Sequence, residues 1–204
     1  MIQLSACAVI VDEVTRKLDA LPVLDRPARW GGRARAVVAF KDEISAQGAV
    51  IQENRCAWCR LPLGREGRRT IHRDHIAPKA LHPVWTFLPL NLVLACEFCN
   101  GFENKSDLQT ISEINEDYAQ CSFLIVHPYL DTVADHFEYD VDEDDLPVVI
   151  KGVSPEGKWT IKHLNLADTG ITKERAKEVL HKMWKEDRLK AADAVLLEHA
   201  VKAI

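Results

Sequence analysis

The sequence predicts an α+β protein built around a small finger that is stapled by zinc, and three observations support this fold class. Four cysteines form two Cys-x-x-Cys pairs, Cys56 with Cys59 and Cys96 with Cys99, separated by 36 residues. Each pair can offer two thiolates to a tetrahedral metal. Short strand-like runs lie between the pairs, and longer helical patterns lie on either side. We therefore expect a two-stranded finger with a four-cysteine zinc site, embedded among helices.

An N-terminal helical region is predicted over residues 1–54. A first helix is expected over residues 4–18, and residues 21–30, which contain two prolines, are interpreted as a connector. A second helix is predicted over residues 33–54, leading directly into the first cysteine pair. Its apolar residues follow three- and four-residue steps: Val37, Phe40, Ile44, Gly48 and Ile51.

The finger itself is predicted over residues 55–110. Residues 69–76 are interpreted as a short strand, residues 78–89 as a loop bounded by prolines, and residues 90–95 as a second, apolar strand. A short helix is expected after Cys99, and it would carry Asn104 and Lys105.

The C-terminal region, residues 111–204, is predicted to contain a β-hairpin and a long helix. Residues 147–153 and 159–164 are interpreted as paired strands, because the segment that joins them is rich in turn-forming residues. Thr172 is the expected N-cap of the helix. An acidic stretch, residues 140–145, precedes these elements.

Composition places the chain among ordinary globular proteins. Of its 204 residues, 47% are apolar and 28% are charged, which does not indicate disorder. No apolar run reaches about 18 residues and no basic segment precedes the apolar start, so neither a membrane span nor a secretion signal is predicted. A cytoplasmic location is expected. The two cysteines outside the pairs, Cys7 and Cys121, are interpreted as small buried residues.

Charge is distributed unevenly along the chain, although the net charge is only −5. Residues 1–107 carry 15 Lys and Arg against 12 Asp and Glu, whereas residues 108–204 carry 11 against 19. A basic cluster within residues 54–80 can contact phosphates, which predicts a nucleic-acid partner. The candidate phosphate contacts are Arg68, Arg69, Arg73, Lys79 and Lys105.

A second kind of chemistry lies between the cysteine pairs. Asp74 and His75 are adjacent, and the carboxamides of Asn91 and Asn100 follow downstream. A hard oxygen ligand beside an imidazole suits a hydrolytic Mg²⁺ or Mn²⁺ centre better than a second zinc. The sequence thus predicts a structural zinc that supports a separate catalytic centre.

These residues resemble the HNH endonucleases of the four-cysteine type. The resemblance rests on Cys-x-x-Cys, then Asp-His-Ile-x-Pro, then Asn-Leu-x-x-x-Cys-x-x-Cys-Asn, in matching order and spacing over residues 56–107. The family fold is a ββα-metal finger, with the active centre between hairpin and helix. The resemblance implies a metal-dependent endonuclease that hydrolyses DNA phosphodiester bonds with low sequence specificity.

The resemblance also implies a role for each matching residue. His75 would be the general base, Asp74 and Asn100 would hold one Mg²⁺, and Asn91 would tie down the hairpin loop by hydrogen bonds. The family commonly has a lysine three residues after the last asparagine, but here Gly101-Phe102-Glu103 intervenes, so Asn104 remains an alternative ligand. His72 is either a further ligand or phosphate contact, or a surface histidine.

A weaker resemblance extends beyond the finger. The helix before Cys56 and the segment His127–Asp131 are similar to the HNH subunits of Septu-type and retron-linked anti-phage systems, which work beside an ATPase. This implies an ATPase partner, and the acidic residues 140–145, the predicted hairpin and the C-terminal helix are together a candidate docking surface for it. The segment His127–Asp131 is interpreted as a structural turn, with a role near the active centre as the alternative.

Two other functions remain open from the sequence. The target could be RNA, for example tRNA, because such a finger grips a phosphate backbone more than it reads bases. A pair of Cys-x-x-Cys knuckles can also belong to a zinc module that binds nucleic acid without cutting it. The Asp-His pair between the knuckles favours the nuclease over this adaptor.

Overall fold

Helices and antiparallel strand pairs make up the chain, as the predicted α+β class requires. The structure, a computed structural model, describes residues 1–67, 69–101, 104–139 and 147–190. Its α-helices are α1 (Asp12–Asp19), α2 (Arg26–Trp30), α3 (Arg35–Ile51), α4 (Gly64–Gly67), α5 (Pro155–His163) and α6 (Thr169–Lys185). Its strands are β1 (His72–His75), β2 (Leu92–Ala95), β3 (Ile111–Glu113), β4 (Ser122–Phe123), β5 (Phe137–Tyr139) and β6 (Ile150–Gly152), paired as β1–β2, β3–β4 and β5–β6.

The hairpin of β1 and β2 confirms the two strands predicted between the cysteine pairs, although both are shorter than expected. Asp74 pairs with Val93 and His75 with Leu92. All four residues of β2 are buried, and α3 packs across this strand. Gly48 allows this close approach, because a β-carbon at this position would lie 3.0 Å from Leu94 Cγ.

The helix predicted over residues 33–54 is confirmed as α3, but the helix predicted over residues 4–18 is wrong in its first half. Residues 1–11 are not helical, and α1 begins at Asp12. The backbone amides of Ile2 and Leu4 instead donate to the carbonyls of Ala57 and Pro128, both at 2.9 Å. These contacts with remote segments override the local helical pattern.

The hairpin predicted from residues 147–153 and 159–164 is also wrong. Strand β6 pairs with β5, which precedes it, and residues 155–163 form α5. Ser154 Oγ accepts a hydrogen bond from the Gly157 amide at 2.9 Å, with Pro155 at the first turn. The segment interpreted as a turn is therefore a helix N-terminus, where serine caps and proline costs no hydrogen bond.

The long C-terminal helix is confirmed as α6, but its cap is not Thr172. Asp168 is the N-cap, and its Oδ1 accepts from the Gly170 amide at 2.7 Å. The acidic residues 140–145 and the end of the chain, residues 191–204, lie outside the described residues.

The short helix predicted after Cys99 is wrong for the residues that the structure describes. Residues 97–100 and 104–107 form turns, with the Asn100 amide donating to the Cys96 carbonyl at 3.0 Å. Ser106 has a φ of 36°, which no α-helix contains. The ββα arrangement is therefore not confirmed, whereas its β-hairpin is present.

One hydrophobic core joins the three regions predicted from the sequence. It contains Phe40 of α3, all four paired cysteines, and Ile125, Leu166 and Ile171 from the C-terminal region. An ion pair of 3.2 Å between Arg69 Nη2 and Glu174 Oε2 links the finger to α6. Within the described ranges, no helix has the length and apolar character needed to cross a bilayer.

Candidate metal centre and adjoining cavity

The two cysteine pairs meet in one buried cluster. The Sγ atoms of Cys56, Cys59, Cys96 and Cys99 all lie within 4.8 Å of one another, and Cys59 Sγ is 3.8 Å from Cys96 Sγ. A tetrahedron with metal–sulfur bonds of about 2.3 Å has edges of about 3.8 Å. Burial raises the pKa of the Cys56 thiol, so its ionised form needs a cation beside it. The cluster fits a structural metal such as zinc.

Backbone contacts bring the two pairs together. The first pair follows α3 and the second follows β2, and the Ala57 amide donates to the Leu94 carbonyl at 3.0 Å. Gln52 contributes a further link, since its side chain donates to the Leu94 carbonyl and accepts from the Leu94 amide, both at 2.8 Å. The first knuckle is thereby fixed against the edge of the hairpin.

A cavity of about 280 Å³ lies beside the hairpin and brings together five of the predicted site residues: Asp74, His75, Asn100, Arg73 and Lys79. It lies along β1, the segment after β1 and the turn after the second knuckle. The lining residues are Trp30, Ile71, His72, Arg73, Asp74, His75, Pro78, Lys79, Asn100, Ser106 and Asp107. Trp30, Ser106 and Asp107 were not predicted, because nothing in the local pattern distinguishes them.

Asp74 is held on both sides of its carboxylate. Its side chain is only 2% exposed, and Oδ2 accepts from Trp58 Nε1 at 2.7 Å while Oδ1 accepts from Lys105 Nζ at 2.8 Å. The ammonium of Lys105 also donates to the His75 carbonyl. Trp58 lies inside the first cysteine pair, so the metal knuckle directly contacts this carboxylate.

Lys105 therefore does not have the predicted role of a phosphate contact in this structure. Its side chain is 0% exposed, and its charge is compensated by Asp74. From the sequence, Lys105 is expected at the surface, but the structure buries it against the buried Asp74. Sequence reasoning had no local signal for this pairing, which spans 31 residues.

His75 is buried and held in one ring orientation. Its Nε2 lies 3.0 Å from the Thr86 carbonyl, and the Trp30 ring lies edge-on with the centroids 4.5 Å apart. Because a carbonyl can only accept, Nε2 carries the hydrogen and Nδ1 keeps its lone pair. Burial, with smaller contributions from the nearby Lys79 and Lys105, lowers the pKa of His75 to about 3, although the hydrogen bond to the Thr86 carbonyl acts to raise it. The ring is neutral at pH 7.

Asn91 makes the contacts that the resemblance implies. It is fully buried, and its Oδ1 accepts from the Ala77 amide at 2.7 Å and from Tyr118 Oη at 2.8 Å. Its Nδ2 donates to the carbonyls of Ala77 at 3.0 Å and Trp85 at 3.1 Å. Asn91 thus ties down the segment between the two strands and does not line the cavity.

The two candidate asparagine ligands lie in different surroundings. Asn100 lines the cavity, with Nδ2 3.3 Å from His72 Nδ1. Asn104 does not line it: Nδ2 donates to the Phe98 carbonyl at 2.5 Å, and Oδ1 accepts from Asn165. Both polar atoms of Asn104 are thus engaged elsewhere, and the geometry favours Asn100.

The remaining basic residues divide into two groups. Arg73 and Lys79 line the cavity, where Arg73 Nε donates to the Lys41 carbonyl at 2.7 Å. Arg69 is only 15% exposed, is paired with Glu174 and does not line the cavity. Arg68 lies outside the described residues.

The segment His127–Asp131 forms a turn, and it is linked to Asn91 through Tyr118. The His127 amide donates to Asp131 Oδ2 at 2.7 Å, which closes the turn, and His127 Nε2 lies 3.0 Å from Tyr118 Oη. Tyr118 was not singled out from the sequence, because it stands alone in a polar stretch. Burial lowers the pKa of His127 to about 3, so this ring is also neutral at pH 7.

A hard cation has suitable donors at the cavity, although no second preformed cluster exists there. Among the described residues, the four cysteines are the only group of three or more His, Cys, Asp and Glu side chains whose ligand atoms converge. Each oxygen of Asp74 keeps a lone pair after its hydrogen bond, and the Asn100 amide can offer an oxygen. Comparison with known proteins gives no matching family model and no matching curated sequence.

Proposed function

We propose that this protein is a metal-dependent HNH endonuclease that hydrolyses DNA phosphodiester bonds with low sequence specificity. The observation that carries the proposal is the cavity beside β1. There a neutral histidine with a free ring nitrogen, a buried carboxylate paired with a lysine and two cationic side chains lie together, next to the cluster of four cysteines. A zinc module that only binds has no need of this combination.

His75 is the proposed general base. Hydrolysis of a phosphodiester requires a water molecule that loses a proton as it attacks phosphorus. In the neutral ring, Nδ1 is free to take that proton, because the Thr86 carbonyl holds Nε2–H. A phosphate anion bound nearby favours the protonated ring and so increases its basicity.

Asp74 and Asn100 are the proposed ligands of one Mg²⁺ or Mn²⁺ ion. When bound, such an ion polarises the scissile phosphate and stabilises the departing 3′ oxygen. The residues of this chain prepare the site for it: Trp58 and Lys105 hold the Asp74 carboxylate in one orientation. Arg73 and Lys79 are placed to hold the phosphate backbone at the cavity.

We also propose a partner ATPase and a role in anti-phage defence, on the strength of the resemblance and of the charge distribution. Residues 108–204 carry eight more acidic than basic residues, which repels nucleic acid but favours a basic protein surface. Purification from a native operon that encodes an ATPase would test this proposal. A protein that is monomeric and fully active without the ATPase would contradict it.

The nuclease is tested by comparing His75→Ala with His82→Ala. Both histidines are buried and hydrogen-bonded, but His82 contacts Gln109 and does not line the cavity. We expect wild type to nick supercoiled plasmid with Mg²⁺ or Mn²⁺ and not with EDTA. His75→Ala should slow cleavage by about 10²-fold or more, the loss typical of a general base, while retaining zinc and fold. His82→Ala should stay close to wild type.

Each other outcome of this comparison has a defined meaning. Cleavage by His75→Ala at the wild-type rate would rule out His75 as the base. If wild type cuts structured RNA and leaves DNA intact, the substrate class moves to RNA. If it cuts neither but binds both, the non-catalytic adaptor becomes the better account.

The metal ligand is tested by Asn100→Ala against Asn104→Ala. Only Asn100 lines the cavity, so Asn100→Ala should raise the Mg²⁺ concentration at half-maximal activity by about tenfold or more. Loss of a residue that merely supports a metal ligand already weakens metal binding by about this much. Asn104→Ala should leave this concentration near the wild-type value. A Mg²⁺ titration of the cleavage rate measures both, and the reverse order would assign the ligand to Asn104.

A further inference from the structure

We infer that Tyr118 and His127, which lie outside the finger, are positioning residues for His75. The inference rests on the proposed function, because positioning matters only if His75 acts as a base. Tyr118 is 4% exposed and His127 is 0% exposed, and neither lines the cavity. Their influence therefore has to pass through other residues, and the structure shows a continuous path.

The first part of the path is a chain of hydrogen bonds with a fixed direction. The Tyr129 amide donates to His127 Nδ1 at 3.3 Å, so the neutral His127 ring carries its hydrogen on Nε2. That hydrogen points to Tyr118 Oη at 3.0 Å, and the Tyr118 hydroxyl donates in turn to Asn91 Oδ1 at 2.8 Å. Each donor in the chain has one acceptor.

The second part of the path runs from Asn91 to His75 through the segment between β1 and β2. Asn91 holds Ala77 through its amide and its carbonyl, and it holds the Trp85 carbonyl. Thr86 follows directly, and its carbonyl is the group that holds His75 Nε2 at 3.0 Å. The position of this carbonyl therefore depends on Asn91 together with the hydrogen bonds that Thr86 itself donates to the Pro83 carbonyl.

The segment that carries Thr86 has little regular structure of its own. Between β1 and β2 the structure shows only two short 3₁₀ turns, Pro83–Trp85 and Pro89–Asn91. Three prolines there donate no backbone hydrogen bonds. Backbone hydrogen bonds within the segment form its short turns, and Asn91 ties these turns to Ala77 and Trp85. Loss of the Tyr118 hydroxyl would leave Asn91 Oδ1 with one donor instead of two.

Tyr118→Phe tests the inference, with Tyr129→Phe as the matched control. Both changes keep an aromatic ring and remove one buried hydroxyl, but the Tyr129 hydroxyl donates to the Leu92 carbonyl at 2.8 Å and does not touch Asn91. The first readout is long-range ¹H–¹⁵N NMR of the His75 imidazole, without divalent metal or substrate. In wild type the two ring nitrogens should have widely separated shifts, and in Tyr118→Phe these shifts should move towards each other.

The second readout is the cleavage rate. Tyr118→Phe should lower kcat by about tenfold or more, because a small displacement of a catalytic group is enough for such a loss. KM should be unchanged, since no contact with substrate is removed. His127→Gln, which keeps an N–H donor for Tyr118, should retain more activity than His127→Leu.

Two results would overturn the inference. One is a His75 imidazole in Tyr118→Phe with wild-type nitrogen shifts, and the other is a kcat no lower than that of Tyr129→Phe. The NMR readout does not depend on catalysis. If wild type cuts no nucleic acid but the shifts move in Tyr118→Phe alone, the proposed function fails while the positioning stands.

Discussion

Replacing Cys96 with serine is expected to unfold the protein rather than to yield a folded, inactive one. The four sulfurs lie at the centre of the main core, where Trp58 and Leu61 are also fully buried. Structural zinc sites contribute about 10–16 kcal/mol to folding. The total stability of a domain is about 5–15 kcal/mol, so loss of the metal leaves little to hold the fold.

Cys121→Ser is the control for this substitution. Cys121 is a free buried thiol, but it belongs to a separate hydrophobic cluster away from the four sulfurs. We expect Cys121→Ser to give soluble protein with one zinc per chain by elemental analysis and a circular dichroism spectrum like that of wild type. Folded wild-type protein without bound zinc would disprove the assignment.

Lys105→Met is expected to destabilise the protein by about 3–5 kcal/mol, the usual cost of removing one partner of a buried ion pair. The substitution keeps most of the apolar length of the side chain but leaves the Asp74 carboxylate buried without its cation. An exposed pair would cost at most about 1 kcal/mol. Denaturant unfolding of the zinc-loaded protein measures the difference.

The double variant Asp74→Asn/Lys105→Met separates the stability cost of leaving a buried charge unpaired from the cost of changed packing at Lys105. With both charges removed, no unpaired charge stays buried, and much of the stability lost in Lys105→Met should return. Lys151→Met provides the surface control, because Lys151 pairs with Glu138 at 2.8 Å while both side chains are exposed. A Lys105→Met variant that loses no more stability than Lys151→Met would contradict the buried pair.

The parts of the fold that were predicted correctly have local causes. The apolar residues of α3 recur at helical spacing on one helix, and Val37, Phe40 and Ile44 are indeed its buried face. The strands β1 and β2 lie next to cysteine pairs whose spacing already restricts the chain. By contrast, residues 1–11 adopt their conformation through contacts with Ala57 and Pro128, which no local pattern contains.

In the candidate site too, the residues of a local motif were predicted, whereas contacts from distant parts of the chain were not. Asp74, His75 and Asn100 were found because a motif places them at fixed spacing, and the structure brings them to one cavity. Their supporting contacts were not predicted, because Lys105 contacts Asp74 across 31 residues of chain and Tyr118 contacts Asn91, which supports the site from behind, across 27. A lysine and a tyrosine in polar stretches favour solvent exposure, and only tertiary packing places them inside.

The Tyr118–His127 contact also sets the order in which the site can be completed during synthesis. His127 follows Asn91 by 36 residues, which a ribosome translates in roughly two to seven seconds. Cys96 and Cys99 follow Asn91 by only five and eight residues, so both knuckles are made early in that interval and become available to a metal. The Tyr118–His127 pair that contacts Asn91 is still incomplete at that stage, so the chain can form its four-cysteine cluster before the surroundings of His75 are finished.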